Sequence, residues 1–145
     1  MQILETNLAR HPCVKEHVGI DAINPITQTL SSNNFDIVID CVGSEKTSSL
    51  SFETIKTGGV IINVGLQNWT SSINIRKLTL EEIKLIGCYT YSMEDFKSAL
   101  KTIESGKFGN LSWIKELPLS DANLAFRQLH DDRMSSAKVI LKPHL

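Results

Sequence analysis

Two stretches of this chain are apolar almost without a break. Residues 35–42, FDIVIDCV, form a β-branched run closed by Gly43, and residues 60–64, VIINV, form a second closed by Gly65. Continuous runs of this length are the pattern of strands buried on both faces of a parallel sheet. Residues 44–57 lie between them, predict a helix with Leu50, Phe52 and Ile55 turned inward, and end at Gly58 and Gly59. Strand, helix and strand in this order predict a right-handed βαβ unit, because parallel strands need a crossover of about this length.

The flanking segments are weaker in pattern. Residues 2–6 predict a short strand, and residues 8–18 a helix broken by Pro12 and ended by Gly19. Ala22 and Ile23 are extended before the stop signal Asn24-Pro25. Further on, residues 72–75 predict a short strand, residues 77–82 a helical turn and residues 83–89 a third strand. Ser92 and Asp95 open a helix whose Phe96, Ala99, Leu100 and Ile103 recur at helical spacing, with Gly106 as its stop. A strand at residues 114–117, a helix capped by Ser120 and a strand at residues 137–141 complete the expected order. The fold class is α/β with a doubly wound parallel sheet.

Composition narrows the function classes more than it names one. Fifteen basic residues face sixteen acidic ones among 145, a net charge of -1. That balance offers no electrostatic footprint for nucleic acid or a membrane surface. No secretory pattern opens the chain and no apolar run reaches membrane-spanning length, so a cytoplasmic location is expected. Cys13, Cys41 and Cys88 are odd in number and far apart, which argues against a disulfide framework. They form no paired zinc-ligand spacing. His11, His17, His130 and His144 read as surface histidines.

Three segments together carry a resemblance. They are residues 35–66 with FDIVIDCVG and VIINVGL, residues 83–91 with IKLIGCYTY, and residues 117–141 with LPLSDANLAFRQLHDDRMSSAKVIL. In this order and spacing they resemble the medium-chain dehydrogenase family, and among its members the zinc-type alcohol, threonine and polyol (sorbitol-like) dehydrogenases. The resemblance implies a partial Rossmann-type sheet over residues 1–87 and, over residues 88–145, the segment that returns to complete the catalytic domain. No G-x-G-x-x-G occurs in the chain. The first strand, that phosphate-cradling turn and the zinc-bearing domain are therefore expected to lie before Met1.

Site residues follow from the same resemblance. Glu5, at the end of the strand that resembles the second of the dinucleotide fold, would accept hydrogen bonds from the adenosine ribose diol and repel a 2′-phosphate, favouring NAD(H) over NADP(H). Arg10 lies where relatives place a base near that ribose. Thr6 or Asn7 is an alternative to Glu5, since the spacing to Gly19 runs one residue long. Cys41, Val42 and Gly43 would pack on the adenosine side. Backbone groups of Val64, Gly65 and Leu66, with Tyr89 beyond, would hold the nicotinamide carboxamide. Lys138 would face the pyrophosphate, or else be a solvated edge charge. Gly43 and Gly65 also serve as plain strand terminators. No catalytic group and no metal ligand is expected in the chain, and cofactor binding is expected to be weakened or lost.

The implied activity is hydride transfer between a small alcohol and a nicotinamide cofactor, with zinc in the intact family. The chain alone is expected to be inactive. An edge at residues 83–87, opening with Ile83 and closing with Gly87, would pair with its copy in a homodimer. The alternative is a non-catalytic dimerising or nucleotide-binding module, and a third reading is the product of a split or truncated gene.

Overall fold

The computed structural model describes every residue except Ser31, Asn33, Asp132 and Leu145. Its elements run β1 (Ile3–Leu4), α1 (His11–Val18), β2 (Ala22–Ile23), β3 (Phe35–Asp40), α2 (Glu45–Thr54), β4 (Ile55–Asn63) and α3 (Ile75–Leu80). They continue with β5 (Lys84–Gly87), α4 (Met93–Glu104), β6 (Ile114–Pro118), α5 (Ala122–His130) and β7 (Lys138–Lys142). Among the described residues every strand pair is parallel: β1 with β2, β3 with β4, β4 with β5, and β6 with β7. The parallel α/β sheet and its βαβ unit are those that the two apolar runs predict, and the fold is of the Rossmann type that the resemblance implies.

The chain divides into two compact units. One holds residues 30–93 and carries the three-stranded sheet in the order β3-β4-β5. One face of this sheet packs on α2 and α3 around Phe52, Ile55, Ile61 and Ile83, with Val38 and Leu78 against them. Ile55 is fully buried and Ile61 is 2% exposed. Burying a side chain of this size stabilises by about 1.5–3 kcal/mol. Ile37 and Ile39 stand on the opposite face, each 59% exposed.

The other unit holds residues 1–29 and 94–145. Its two sheets, β1-β2 and β6-β7, have two strands each. Pro12 sits in the first turn of α1, and a 3-10 turn over Leu8–Arg10 precedes it. The expected break at Pro12 is therefore a start, because proline's missing N–H is not needed in the first turn. Gly19 ends α1 in the left-handed conformation at φ 78°.

Several boundaries differ from the sequence reading. The helix after Ser44 stops at Thr54, and Ile55, expected on its inner face, is the first residue of β4. Ser51 and Thr54 turn their hydroxyls back onto the Thr47 and Leu50 carbonyls, 2.8 Å each, and β-branched Ile55 then continues extended. Gly58 and Gly59 do not end a helix. They lie in a bulge of β4, where pairing steps from Phe35↔Ile55 to Ile37↔Val60. Residues 72–75 form no strand: Asn74 Oδ1 accepts the Lys77 N–H at 2.9 Å and caps α3. Ser120 caps nothing, since a 3-10 turn over Leu119–Asp121 leads into α5. His11 and His17 are half-buried, unlike the exposed His130 and His144.

Candidate functional site

In an open α/β sheet, ligands bind beyond the carboxyl ends of the strands. In the unit of residues 30–93 that edge is organised by Asp40, the last residue of β3, which is 5% exposed. Its Oδ1 accepts the N–H groups of Val42 and Gly43, 2.9 Å each, and its Oδ2 accepts the Thr47 hydroxyl at 2.9 Å. Its main-chain carbonyl accepts the N–H groups of Val64 and Gly65 at 2.9 and 3.0 Å. One buried residue thus shapes the turn after β3, the first turn of α2 and the turn after β4. Thr47 is placed for this by a capping box with Ser44, whose N–H donates to Thr47 Oγ1 at 2.9 Å.

The two turns also bind each other. Gln67 N–H donates to the Val42 carbonyl at 3.0 Å, and Asn68 N–H to the Gly43 carbonyl at 3.1 Å. Asn63 Nδ2 donates to the Gly65 carbonyl at 3.1 Å. A Cβ on Gly43, at φ +70°, would sit 1.9 Å from the Gly65 carbonyl oxygen, and one on Gly65 would sit 2.1 Å from the Val42 carbonyl carbon. Glycine at 65 is required inside the chain, by the backbone of the neighbouring turn. Val42, Val64 and Leu66 are 45, 43 and 71% exposed at this edge, and Cys41 is an exposed free thiol. Tyr89 lies two residues past β5 and is 81% exposed.

The remaining expected residues lie in the other unit. Glu5 directly follows β1, and its N–H pairs with the Ile23 carbonyl at 3.0 Å. Glu5 Oε2 is 3.5 Å from the Arg10 guanidinium, both side chains about three-quarters buried. The five-residue spacing does bring acid and base together. Glu5 Oε1 accepts the Asn7 N–H at 2.8 Å, while Asn7 Oδ1 accepts the Ala9 N–H. Asn7 therefore serves the turn. Lys138 opens β7, exposed and opposite Ile114. Sequence reasoning missed the role of Asp40, although an acid at the last position of a buried strand before glycine is itself a signal. It also missed Thr47 and His11.

Among the described residues, no group of three or more histidine, cysteine or acidic side chains is placed to hold a metal ion. Those donors do not fit a zinc site. No described helix is long and apolar enough to cross a membrane.

Parallel strands joined by helices, with backbone-packed turns at their carboxyl ends, are the layout of open α/β folds whose ligands bind at that edge. The acetophenone reductase of Geotrichum candidum, solved with NAD, matches at a TM-score of 0.83 and 19% identity over 95% of this chain and 40% of that one. Residues 11–105 match the model of the zinc-binding dehydrogenase family, and the chain belongs to that family. Sorbitol dehydrogenase 1 of Saccharomyces cerevisiae is 30% identical over 87 residues, 60% of this chain and 24% of the relative. The NADP(+)-dependent D-arabinose 1-dehydrogenase of Saccharolobus solfataricus is 31% identical over 118 residues, 81% of this chain and 32% of the relative. The chain thus spans about a quarter to a third of these two curated relatives.

Proposed function

We propose that this chain supplies the nucleoside-facing walls and the closing segment of a zinc-type NAD(P)-dependent alcohol or polyol dehydrogenase. The observation that carries the reading is the carboxyl edge of β3 and β4, where Asp40 and the paired glycines set two turns with exposed apolar side chains. Cys41 and Val42 pack on the adenosine side, with Gly43 between them and the next turn. Main-chain groups of Val64, Gly65 and Leu66, with Tyr89, hold the carboxamide. Glu5 receives the ribose diol with Arg10 beside it, and Lys138 faces the pyrophosphate. The cofactor, when bound, supplies the hydride acceptor. Within the unit of residues 1–29 and 94–145, a carboxylate beside a guanidinium supports the ribose reading; within the unit of residues 30–93, exposed apolar side chains around a main-chain turn support the reading of a surface for a flat ring.

In this reading residues 1–87 belong to the nucleotide domain and residues 88–145 to the returning segment. Two copies pair through the edge at residues 83–87, where Leu85 and Ile86 are 38 and 48% exposed on the outermost strand of the sheet. The chain is cytoplasmic, prefers NAD(H), and does not turn over an alcohol by itself. The test is a fluorescence titration with NADH and NADPH, joined to a chimera in which this chain replaces the matching segment of the yeast sorbitol dehydrogenase. Weak, NADH-favouring binding by the chain alone and NAD-dependent polyol oxidation by the chimera are expected. Tight binding by the chain, with a folded but inactive chimera, would favour the non-catalytic nucleotide-binding module.

A further inference from the structure

Four contacts converge on Glu5. Its N–H donates to the Ile23 carbonyl at 3.0 Å, and Oε1 accepts from the Asn7 N–H at 2.8 Å. Oε2 faces Arg10 at 3.5 Å. The fourth contact does not involve the carboxylate: the Glu5 main-chain carbonyl oxygen lies 2.8 Å from Nε2 of His11, the first residue of α1. A carbonyl oxygen carries no proton, so this pair is a hydrogen bond only when Nε2 bears the hydrogen.

We infer that His11 is a positioning residue for the Glu5 carboxylate. The orientation of the Glu5 carbonyl sets the Glu5–Thr6 peptide plane, the Thr6–Asn7 plane continues from it, and the Asn7 N–H on that second plane donates to Oε1. The imidazole ties the Glu5–Thr6 plane to the start of α1, so the acid is held from the neighbouring strand β2, from the turn and from the helix together. Only the last of these ties is made by an exchangeable side chain that touches no part of the carboxylate. The inference rests on the reading of Glu5 as the acceptor of the ribose diol, and it adds a residue that tunes the choice between a free 2′-hydroxyl and a 2′-phosphate.

The experiment uses nitrogen-15-labelled chain, unaltered and as His11→Leu and His11→Gln. Adenosine 5′-diphosphoribose and its 2′-phosphate are the probes, and binding is read from the amide signals of Glu5 and Arg10. In the unaltered chain the neutral His11 ring carries its hydrogen on Nε2. His11→Leu binds adenosine 5′-diphosphoribose about fivefold more weakly, the ratio that about 1 kcal/mol, the net worth of one neutral hydrogen bond, converts to. The 2′-phosphate loses less, so the selectivity ratio falls, and His11→Gln, which keeps an amide donor, restores it. Hydrogen on Nδ1 overturns the inference, as does a leucine variant with unchanged selectivity or a glutamine variant no better than leucine. If those amides ignore both probes in the unaltered chain, the ribose reading of Glu5 falls and takes the inference with it. The ring tautomer separates the two failures, because the tie from His11 to Glu5 is then still seen.

Discussion

Asp40→Ala tests whether one buried carboxylate holds the whole carboxyl edge. The carboxylate accepts three hydrogen bonds of 2.9 Å from Val42, Gly43 and Thr47 while 5% exposed. Hydrogen bonds to a charged group are worth about 1.5–3 kcal/mol each, and donors left buried without a partner add their own desolvation cost. The three share one acceptor group and do not add fully, and water entering the space recovers part of the loss. A net cost of about 3–4 kcal/mol is therefore expected, a large share of the roughly 5–15 kcal/mol that stabilises a typical domain. Asp40→Asn keeps an oxygen for the two amides, and Thr47 can turn its proton to the Ser44 carbonyl at 3.1 Å. That variant should lose only about 1 kcal/mol. Urea unfolding followed by circular dichroism gives the midpoints, and amide hydrogen exchange at Val42 and Gly43 gives the local readout. Exchange at those two amides should rise strongly in the alanine variant and little in the asparagine one. An alanine variant that unfolds within about 0.5 kcal/mol of the parent, the range of an inconsequential surface change, refutes the reasoning.

Three further outcomes follow. Gly65→Ala should cost more than about 2 kcal/mol, the middle of the overpacking range, since its Cβ would fall 2.1 Å from the Val42 carbonyl carbon; chemical denaturation measures it. Phe52→Ala should destabilise the unit of residues 30–93 by about 3–5 kcal/mol, because Phe52 is 5% exposed among Ile55, Ile61 and Ile83; the loss should appear as faster amide exchange in β3 and β4. Glu5→Gln should keep the Asn7 contact; on the proposed reading it removes the repulsion of a 2′-phosphate, so the affinity for NADPH relative to NADH should rise in a fluorescence titration.

Much of the architecture was legible because continuous β-branched runs mark strands whatever their partners, although β3, expected to be buried on both faces, is covered on one: Ile37 and Ile39 are each 59% exposed. Residues 35–40 and 60–63 declare themselves through β-branched side chains alone. Ile55 did not, because an isoleucine after Thr54 fits the inward face of a helix as well as the start of a strand. What decided it was pairing with Phe35, a contact 20 residues away in sequence. The same limit applies at the site. Glu5 and Arg10 were expected together because the resemblance places an acid and a base at these positions, and the turn between them does bring the two side chains within 3.5 Å. Asp40 was recognised as a strand residue, but the identity of its partners depended on the path of the chain after Gly43. His11 looked like a surface ring because the carbonyl that it meets belongs to a turn whose shape no composition encodes.

The interlock of Gly43 and Gly65 has a consequence for how this edge tolerates change. Two turns that meet backbone to backbone have no side chain between them to absorb an adjustment, so they move as one rigid piece. A substitution in either is felt by both, and the second of two such substitutions should cost less than the first. Variation at residues 41–43 is then constrained jointly with variation at residues 64–66: the edge has one mechanical tolerance, set by the narrowest gap between its two turns.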